Sequence, residues 1–189
     1  MKKIFLILSL AIIQVSFGQN NFKLGDYTKT INKKIEFKYK NPLPPFQKSE
    51  ESYSSQGNTN LVSAYIARTT DNIVVLQIYA SNIPQKFKNL DWNSITNSDK
   101  SSQNFIDSFL GAANNTAMKI SKFRLNTING KDFLEVQSTL TVSGVTQKQI
   151  NWMTVYKNTF INILGATLIN SFDKNVSFFT EFTQSILIN

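Results

Sequence analysis

The chain has 189 residues and a formal net charge of +8, with 20 lysines and arginines against 12 aspartates and glutamates. It contains no histidine and no cysteine. These absences exclude Ser-His-Asp and Cys-His catalysis, exclude histidine as a general acid or base, and remove the ligands that zinc sites prefer.

Residues 1–18 have the pattern of a secretory signal peptide. Two lysines precede the apolar run Ile4–Val15, and Ser16 and Gly18 are small residues suited to cleavage before Gln19. The apolar run is too short to span a membrane, which takes about 20 residues. We therefore expect a secreted or periplasmic protein that is not membrane-spanning, with residues 19–189 forming a single domain large enough for its own core.

The segment 20–40 is polar and rich in lysine, and it ends in a short amphipathic strand. From Ile35 to Lys40 apolar and polar residues alternate, which is typical of a strand with one buried face. Prolines at positions 42, 44 and 45 stop this strand, and the polar run 47–60 indicates a surface loop. Two β-rich runs follow, Leu61–Thr69 and Asn72–Ser81, and the second is apolar on both faces, which favours a central strand.

The middle of the chain predicts one helix. An irregular stretch begins at Pro84 and extends to about position 100. Apolar residues then recur at three- and four-residue spacing, which predicts a helix over Ser102–Met118.

The last third of the chain predicts a meander of strands. Asn129-Gly130 is a strong hairpin signal, because a type I′ turn needs positive φ at both central residues. Together with reversals near positions 143 and 157, it separates four predicted strands: Ile120–Ile128, Lys131–Val142, Gln147–Tyr156 and Phe160–Ile169. In the second strand Glu135 falls on the polar face, so the simplest interpretation is a solvated side chain.

A closing helix begins after Ser171. Its apolar stripe predicts that it docks on the sheet, and the stripe consists of Phe172, Val176, Phe179, Phe182 and Ile186. The element order is therefore β, β-β, α, β-β-β-β, α. This order predicts an α+β fold, a mainly antiparallel sheet with helices packed on it.

This pattern resembles the PsbP/Mog1-like fold group, which includes small exported bacterial domains of unknown function. The resemblance rests on the strand that ends at Pro42, the paired strands within Leu61–Ile83, the helix at Ser102–Met118, the hairpin Ile128–Phe133 and a terminal helix finishing in Gln-Ser-Ile-Leu-Ile. It covers most of residues 19–189. It implies an α/β/α sandwich with binding or accessory roles in assembling other proteins, and it carries no catalytic signature.

Lysines near the start of residues 19–189 are the first candidate binding group. The segment concentrates Lys23, Lys29, Lys33, Lys34, Lys38, Lys40 and Lys48 against Asp26 and Glu36, and we select Lys33, Lys34, Lys38 and Lys40 as candidate binding residues. They could attract an envelope protein or an anionic surface component. The competing interpretation is compositional, since lysine outnumbers arginine throughout the chain. Only two arginines are present, which argues against a nucleic-acid partner.

Phe87 and Trp92 are the second candidate group. They lie in the irregular stretch before the first predicted helix and could form an exposed aromatic contact. The alternative is that they pack beneath that stretch as part of the core.

These observations favour an exported, non-enzymatic binding or accessory module of the cell envelope. A carboxylate-only hydrolase and a carrier of a small apolar ligand inside the sandwich are the alternatives. The sequence contains no phosphate-binding glycine motif, and we expect no cofactor and no metal.

Overall fold

The computed structural model describes residues 22–32, 35–48, 59–69, 72–83, 87, 92–110 and 118–189. Within them lie ten strands: β1 (Leu24–Asn32), β2 (Ile35–Pro42), β3 (Gln47–Lys48), β4 (Thr59–Thr69), β5 (Asn72–Asn82), β6 (Met118–Ile128), β7 (Lys131–Val142), β8 (Val145–Tyr156), β9 (Thr159–Leu168) and β10 (Leu187–Ile188). The α-helices in the same residues are α1 (Trp92–Thr96), α2 (Asp99–Leu110) and α3 (Phe172–Gln184).

The strands form two antiparallel sheets. The main sheet has seven strands in the order β3-β4-β5-β9-β8-β7-β6, and the minor sheet has three in the order β1-β2-β10. The central position predicted for β5 is confirmed, because it pairs with β4 on one side and β9 on the other. In the described part of the chain β6 is a long edge strand of the main sheet, whereas β3 at the opposite edge has two residues.

Three tight turns join the four strands from β6 to β9. Both central residues have positive φ at each turn, 49° and 72° at Asn129-Gly130, 50° and 79° at Ser143-Gly144, and 48° and 58° at Lys157-Asn158. Such turns match the right-handed twist of the strands they connect. The predicted meander is therefore confirmed, with strand limits that differ from the prediction by one or two residues.

The structure adds elements that the sequence pattern did not predict. The lysine-rich segment before β2 forms the strand β1, and the short helix α1 lies within the stretch predicted to be irregular. The helix α2 begins three residues before the predicted start and ends at Leu110, while residues 111–117 lie outside the described part. The predicted loop 47–60 contains β3 and the start of β4, and its residues 49–58 also lie outside.

The prediction that the terminal helix runs to the end of the chain is wrong. The helix α3 ends at Gln184, and Leu187–Ile188 then pair with Lys38 and Phe37 of β2. Backbone bonds in both directions between Glu36 and Asn189, 3.1 and 3.0 Å long, extend this pairing. The last residues therefore join the minor sheet instead of continuing the helix.

Both faces of the main sheet are covered, which gives the predicted α+β sandwich. On one face α1 and α2 bury Ile95, Phe105 and Ile106 against Leu134 and Met153. The opposite face packs against the minor sheet and α3. That larger core cluster is dominated by big side chains that are almost fully buried, Phe37, Tyr39, Trp152, Phe172, Phe179 and Phe182.

Aromatic rings of α3 fill the space between the two sheets. The rings of Phe46 and Phe178 stack with centroids 5.3 Å apart, and Phe182 meets Tyr39 edge-on at 5.9 Å. Each such pair contributes about 0.5–1.5 kcal/mol beyond the burial of its area. We call the rings of Phe37, Tyr39, Phe178, Phe179 and Phe182 the aromatic layer.

Gly165 of β9 allows α3 to lie close to the main sheet. A Cβ atom at this position would be 2.5 Å from Cγ of Phe179, closer than non-bonded carbons can approach. Gly165→Ala should therefore lower the free energy of unfolding by about 1–3 kcal/mol through overpacking. Urea unfolding followed by tryptophan fluorescence measures this loss.

A double-mutant cycle with Phe179→Leu supplies the control for Gly165→Ala. The smaller side chain leaves room for the added methyl group, so the two losses should be less than additive. Full additivity would mean that contact with Phe179 is not the reason why position 165 is glycine.

Tyr39 and Tyr65 connect the two sheets through a buried polar contact. Their hydroxyl oxygens are 3.3 Å apart, with Tyr39 on β2 and Tyr65 on β4. Burial raises the pKa of Tyr65 well above its ordinary value of 10.0, and the hydrogen bond and electrostatic interaction with Tyr39 raise it further. The folded state therefore favours the neutral phenol.

This pKa shift predicts a loss of stability at alkaline pH. In the unfolded chain Tyr65 ionises near pH 10, so the stabilisation is complete below that pH and is lost as the pH rises above it. The urea midpoint should fall from pH 9 to pH 11 by less in Tyr65→Phe than in the wild type. Equal falls in the two proteins would contradict this assignment.

Candidate functional site

The outer face of the minor sheet is the candidate site. Along β2 the side chains of Ile35, Phe37 and Tyr39 are buried, so the alternating residues between and after them point away from the core. The strand register places side chains of β1 and β10 beside these residues. We define the outer face of the minor sheet as Tyr27, Lys29, Ile31, Glu36, Lys38, Lys40 and Leu187.

The register brings the lysines together. Lys29 lies directly opposite Lys38, Tyr27 opposite Lys40, and Ile31 opposite Glu36. Directly opposed residues on antiparallel strands share a face and contact each other. Two cations opposite one another disfavour the isolated sheet, so this arrangement has an electrostatic cost that an acidic partner would relieve.

Two kinds of contact, an ion pair and cation–π contacts, partly offset the repulsion between these lysines. Lys29 Nζ lies 3.3 Å from Oε1 of Glu36. The Nζ atoms of Lys38 and Lys40 lie 5.0 and 6.0 Å from the centroid of the Tyr27 ring, within or at the limit of cation–π distance. Because this face has three lysines and one acidic side chain, Glu36, which pairs with Lys29, it remains positively charged.

Large apolar side chains are exposed on the same face. Ile31 is 70% exposed, Tyr27 48% and Leu187 36%. A single exposed isoleucine is common on protein surfaces, but three apolar or aromatic side chains interleaved with lysines form a surface suited to contact with another molecule.

The predicted lysines are therefore only partly placed by the structure. Lys38 and Lys40 lie side by side on the outer face of the minor sheet, whereas Lys33 and Lys34 lie outside the described residues. The sequence pattern included Lys29 among the lysines of this segment but did not identify Tyr27 and Ile31, which alternate with it in β1. Their spacing of two residues was the sequence signal for a shared strand face, but the polar residues between them made the pattern hard to recognise.

Phe87 and Trp92 do not form an exposed contact. Phe87 is 7% exposed, and its ring centroid lies 5.1 Å from that of Phe105. Trp92 is half-buried and meets the same Phe105 ring edge-on at 5.4 Å. Both side chains thus help to pack α1 and α2 on the main sheet, so the packing alternative describes their geometry.

The interpretation of Glu135 as a solvated residue is wrong. Its carboxylate is 4% exposed and accepts two hydrogen bonds from Arg124, each 3.1 Å long. Asn126 Nδ2 and Trp152 Nε1 donate to Oε2 at 3.1 and 3.2 Å. The alternation along β7 correctly places Glu135 on a different face from Leu134, but that face is covered where Trp152 of the adjacent β8 lies.

This network is a structural element rather than a reaction centre. All four donors point at one carboxylate, so no oxygen of Glu135 is left without a partner to act on a substrate. Within the described residues no group of three or more acidic side chains converges. Glu36 and Asp132 have their own partners, Lys29 and Thr127, on separate parts of the fold.

The described helices are also not membrane spans. Among residues 92–110 and 172–184 no helix has both the length and the apolar character needed to cross a bilayer.

Comparisons with known proteins support the fold alone. No protein-family model matches the sequence, and no curated protein matches it. Cyanobacterial PsbP (CyanoP) from Synechocystis superposes with a TM-score of 0.57 at 14% identity, covering 93% of this chain and 98% of its own. The protein of unknown function PA94 from Pseudomonas aeruginosa gives 0.53 at 9% identity, with 86% and 97% covered.

A third structure is less similar. LpqN, involved in cell envelope biogenesis of Mycobacterium tuberculosis, has a TM-score of 0.43 at 9% identity, covering 77% of this chain and 92% of its own. That value is too low to carry an inference. From the first two similarities, the predicted PsbP/Mog1-like fold is confirmed.

Replacing Glu135 tests the buried network. Glu135→Gln keeps the shape but removes the charge and turns one acceptor into a donor, which faces the N–H groups of Trp152 or Arg124. The free energy of unfolding should fall by about 1–3 kcal/mol in urea titrations. The loss stays in this range because the Arg124 side chain is 57% exposed and keeps its hydration.

Trp152→Phe is the matched control for Glu135→Gln. It removes one donor and leaves the ion pair with Arg124, so its hydrogen-bond loss should be about 1 kcal/mol. A Glu135→Gln variant as stable as the wild type would show that the network is not what makes a buried carboxylate tolerable here.

Proposed function

We propose that this chain, which has the PsbP/Mog1-like fold, is an exported, non-enzymatic accessory module of the cell envelope. Its outer face of the minor sheet binds an acidic surface of a protein partner. The observation that supports this proposal most strongly is the cluster of Lys29, Lys38 and Lys40 on one face, where Lys38 and Lys40 lie over the Tyr27 ring and Lys29 contacts Glu36, the one acidic side chain of that face.

The chemistry of the face favours a protein over other anionic partners. Interface cores are enriched in aromatic side chains and surrounded by polar groups, and Tyr27 and Ile31 offer such contacts between the lysines. A polyanionic polysaccharide would use the ammonium groups but leave Ile31 and Leu187 exposed. A protein with acidic groups around an apolar centre would cover both.

The minor sheet also gives this face a stable backbone. Its inner side chains, Phe37 and Tyr39, are fully buried in the aromatic layer, so the outer side chains project from a fixed strand pair. A binding surface on a supported sheet loses less conformational entropy on association than one on a loop. A supported strand pair of this kind favours recognition over catalysis, because catalysis would need converging groups in a cleft.

The signal-peptide pattern of residues 1–18 supports an envelope location for this activity. Acidic envelope proteins would then be the available partners. Long-range attraction between opposite charges raises the rate at which such partners meet, and salt largely screens this attraction beyond about 8 Å at physiological ionic strength.

Affinity capture from envelope extract with purified residues 19–189 tests the proposal. The triple variant Lys29→Gln, Lys38→Gln, Lys40→Gln should capture about tenfold less of the partner than the wild type does, because each exposed charge pair contributes roughly 0.2–1 kcal/mol. Ile31→Ser, which alters no charge, should reduce capture of the same protein. Binding of the purified partner should weaken as salt rises.

The matched control variant loses the same number of positive charges at positions outside the minor sheet. Lys100, Lys157 and Lys174 are exposed on other elements, so their triple glutamine variant should capture the partner as the wild type does. Equal losses in both triple variants would show that net charge alone governs binding. Retention of the partner by the first variant would refute the proposed surface.

A further inference from the structure

The exposed edge of β6 is a second surface with a different geometry. This strand has eleven residues at the edge of the main sheet, and no described residue pairs with its outer side. An edge strand offers alternate backbone N–H and C=O groups to another extended chain. The question is which chain would fit.

A bulge gives the two faces of β6 opposite characters. The register shifts between Ile120 and Lys122, so Lys119 and Lys122 share one face although they are three residues apart. Lys119 lies opposite Thr139, Lys122 opposite Gln137 and Arg124 opposite Glu135. This face is cationic. Neither of its lysines has an ion-pair partner in the described part of the chain.

The other face of β6 borders an open groove. Ile120 lies opposite Ser138, Phe123 opposite Val136, and Leu125 opposite Leu134. A groove of about 350 Å³ lies between this face and α2. It is lined by Gln103 and Asp107 of α2 and by Met118, Ile120, Ser121, Lys122 and Phe123 of β6, so Lys122, next to the bulge, also borders the groove. Beyond the groove Leu125 is 47% exposed.

We infer that β6 binds an extended segment of another protein by strand addition, and that this segment alternates apolar and acidic residues. Successive side chains of an added strand point to opposite faces. One set would enter the groove beside Phe123 and α2, and the other would lie beside Lys119 and Lys122. Asp107 in the groove already accepts a hydrogen bond from Gln103 at 2.8 Å, so it does not require a cation from the segment.

A second copy of this chain is a poor occupant of the same edge. Antiparallel pairing of two β6 strands would place cations of both copies on one face, and like charges on neighbouring strands repel. Lysines and a bulge on an edge strand also discourage unspecific pairing. The lysines of β6 attract an acidic segment, so an acidic segment is the occupant that this edge favours. This inference is independent of the outer face of the minor sheet.

Fluorescence anisotropy with designed peptides tests the inference on residues 19–189. The probe is an eight-residue peptide of alternating valine and glutamate, and the control peptide has four valines followed by four glutamates. The alternating peptide should bind at least tenfold more tightly. Equal affinity would show attraction by charge alone, and absence of binding at millimolar peptide would equally overturn the inference.

Backbone methylation separates strand addition from other modes of binding. In an added strand only alternate N–H groups point at β6. Peptides that carry N-methyl groups on all valines or on all glutamates should therefore differ, with one losing binding and the other keeping most of it. If both methylated peptides lost binding to the same extent, or if neither lost binding, pairing with β6 would be contradicted.

Variants of the protein locate the site. Lys119→Glu with Lys122→Glu should weaken binding of the alternating peptide about tenfold or more. The matched variant Lys157→Glu with Lys174→Glu reverses two exposed charges away from β6 and should bind the peptide as the wild type does. On binding, amides within Lys122–Ile128 should exchange more slowly with deuterium. Protection confined to β1 or β2, or peptide-independent dimers of the chain, would overturn the inference.

Discussion

The structure depends on the contact that α3 makes with both sheets at once. The minor sheet has to bury its apolar inner face against another element, and Phe179 and Phe182 of α3 belong to the core cluster that joins it to the main sheet. Polar bonds fix the same region. Ser185 Oγ accepts from the backbone N–H of Lys40 at 3.1 Å, and Asn129 Nδ2 donates to the carbonyls of Gln184 and Ile186 at 2.8 Å. The C-terminal segment thus links β2, α3 and the β6–β7 turn.

That constraint explains why the charged face lies where it does. Once Phe37 and Tyr39 are fixed in the aromatic layer, the pleat of β2 directs Lys38 and Lys40 outward. The register with β1 then adds Lys29 and Tyr27 to the same face. Repulsion among these lysines costs stability, and burial of the inner side chains, roughly 1.5–3 kcal/mol for each large one, exceeds that cost. The fold can therefore keep a positively charged surface without losing its own stability.

Local patterns predicted much of this fold, and long-range pairing accounts for what they missed. The Asn129-Gly130 turn and the alternation along β7 are visible in a few residues, so the four-strand meander could be predicted. The strands β1 and β10 could not, because each depends on β2, from which β10 is separated by most of the chain. Glu135 was misinterpreted for the same reason: alternation gives its face, but only the strand order reveals Arg124 and Trp152 beside it. Of the candidate site, Lys38 and Lys40 could be named from sequence, whereas their apolar neighbours required the register.

The central claim is that the minor sheet and the main sheet form one cooperative unit held by the aromatic layer. Native-state hydrogen exchange measures this most directly, by comparing amides of β2 with amides of β9 in the wild type and in Phe182→Leu. The amides of both strands should exchange with the same free energy of opening, and Phe182→Leu should lower that free energy equally in the two strands. If the β2 amides opened at a much lower free energy, or were unaffected by the change at Phe182, the aromatic layer would not be what holds the minor sheet in place.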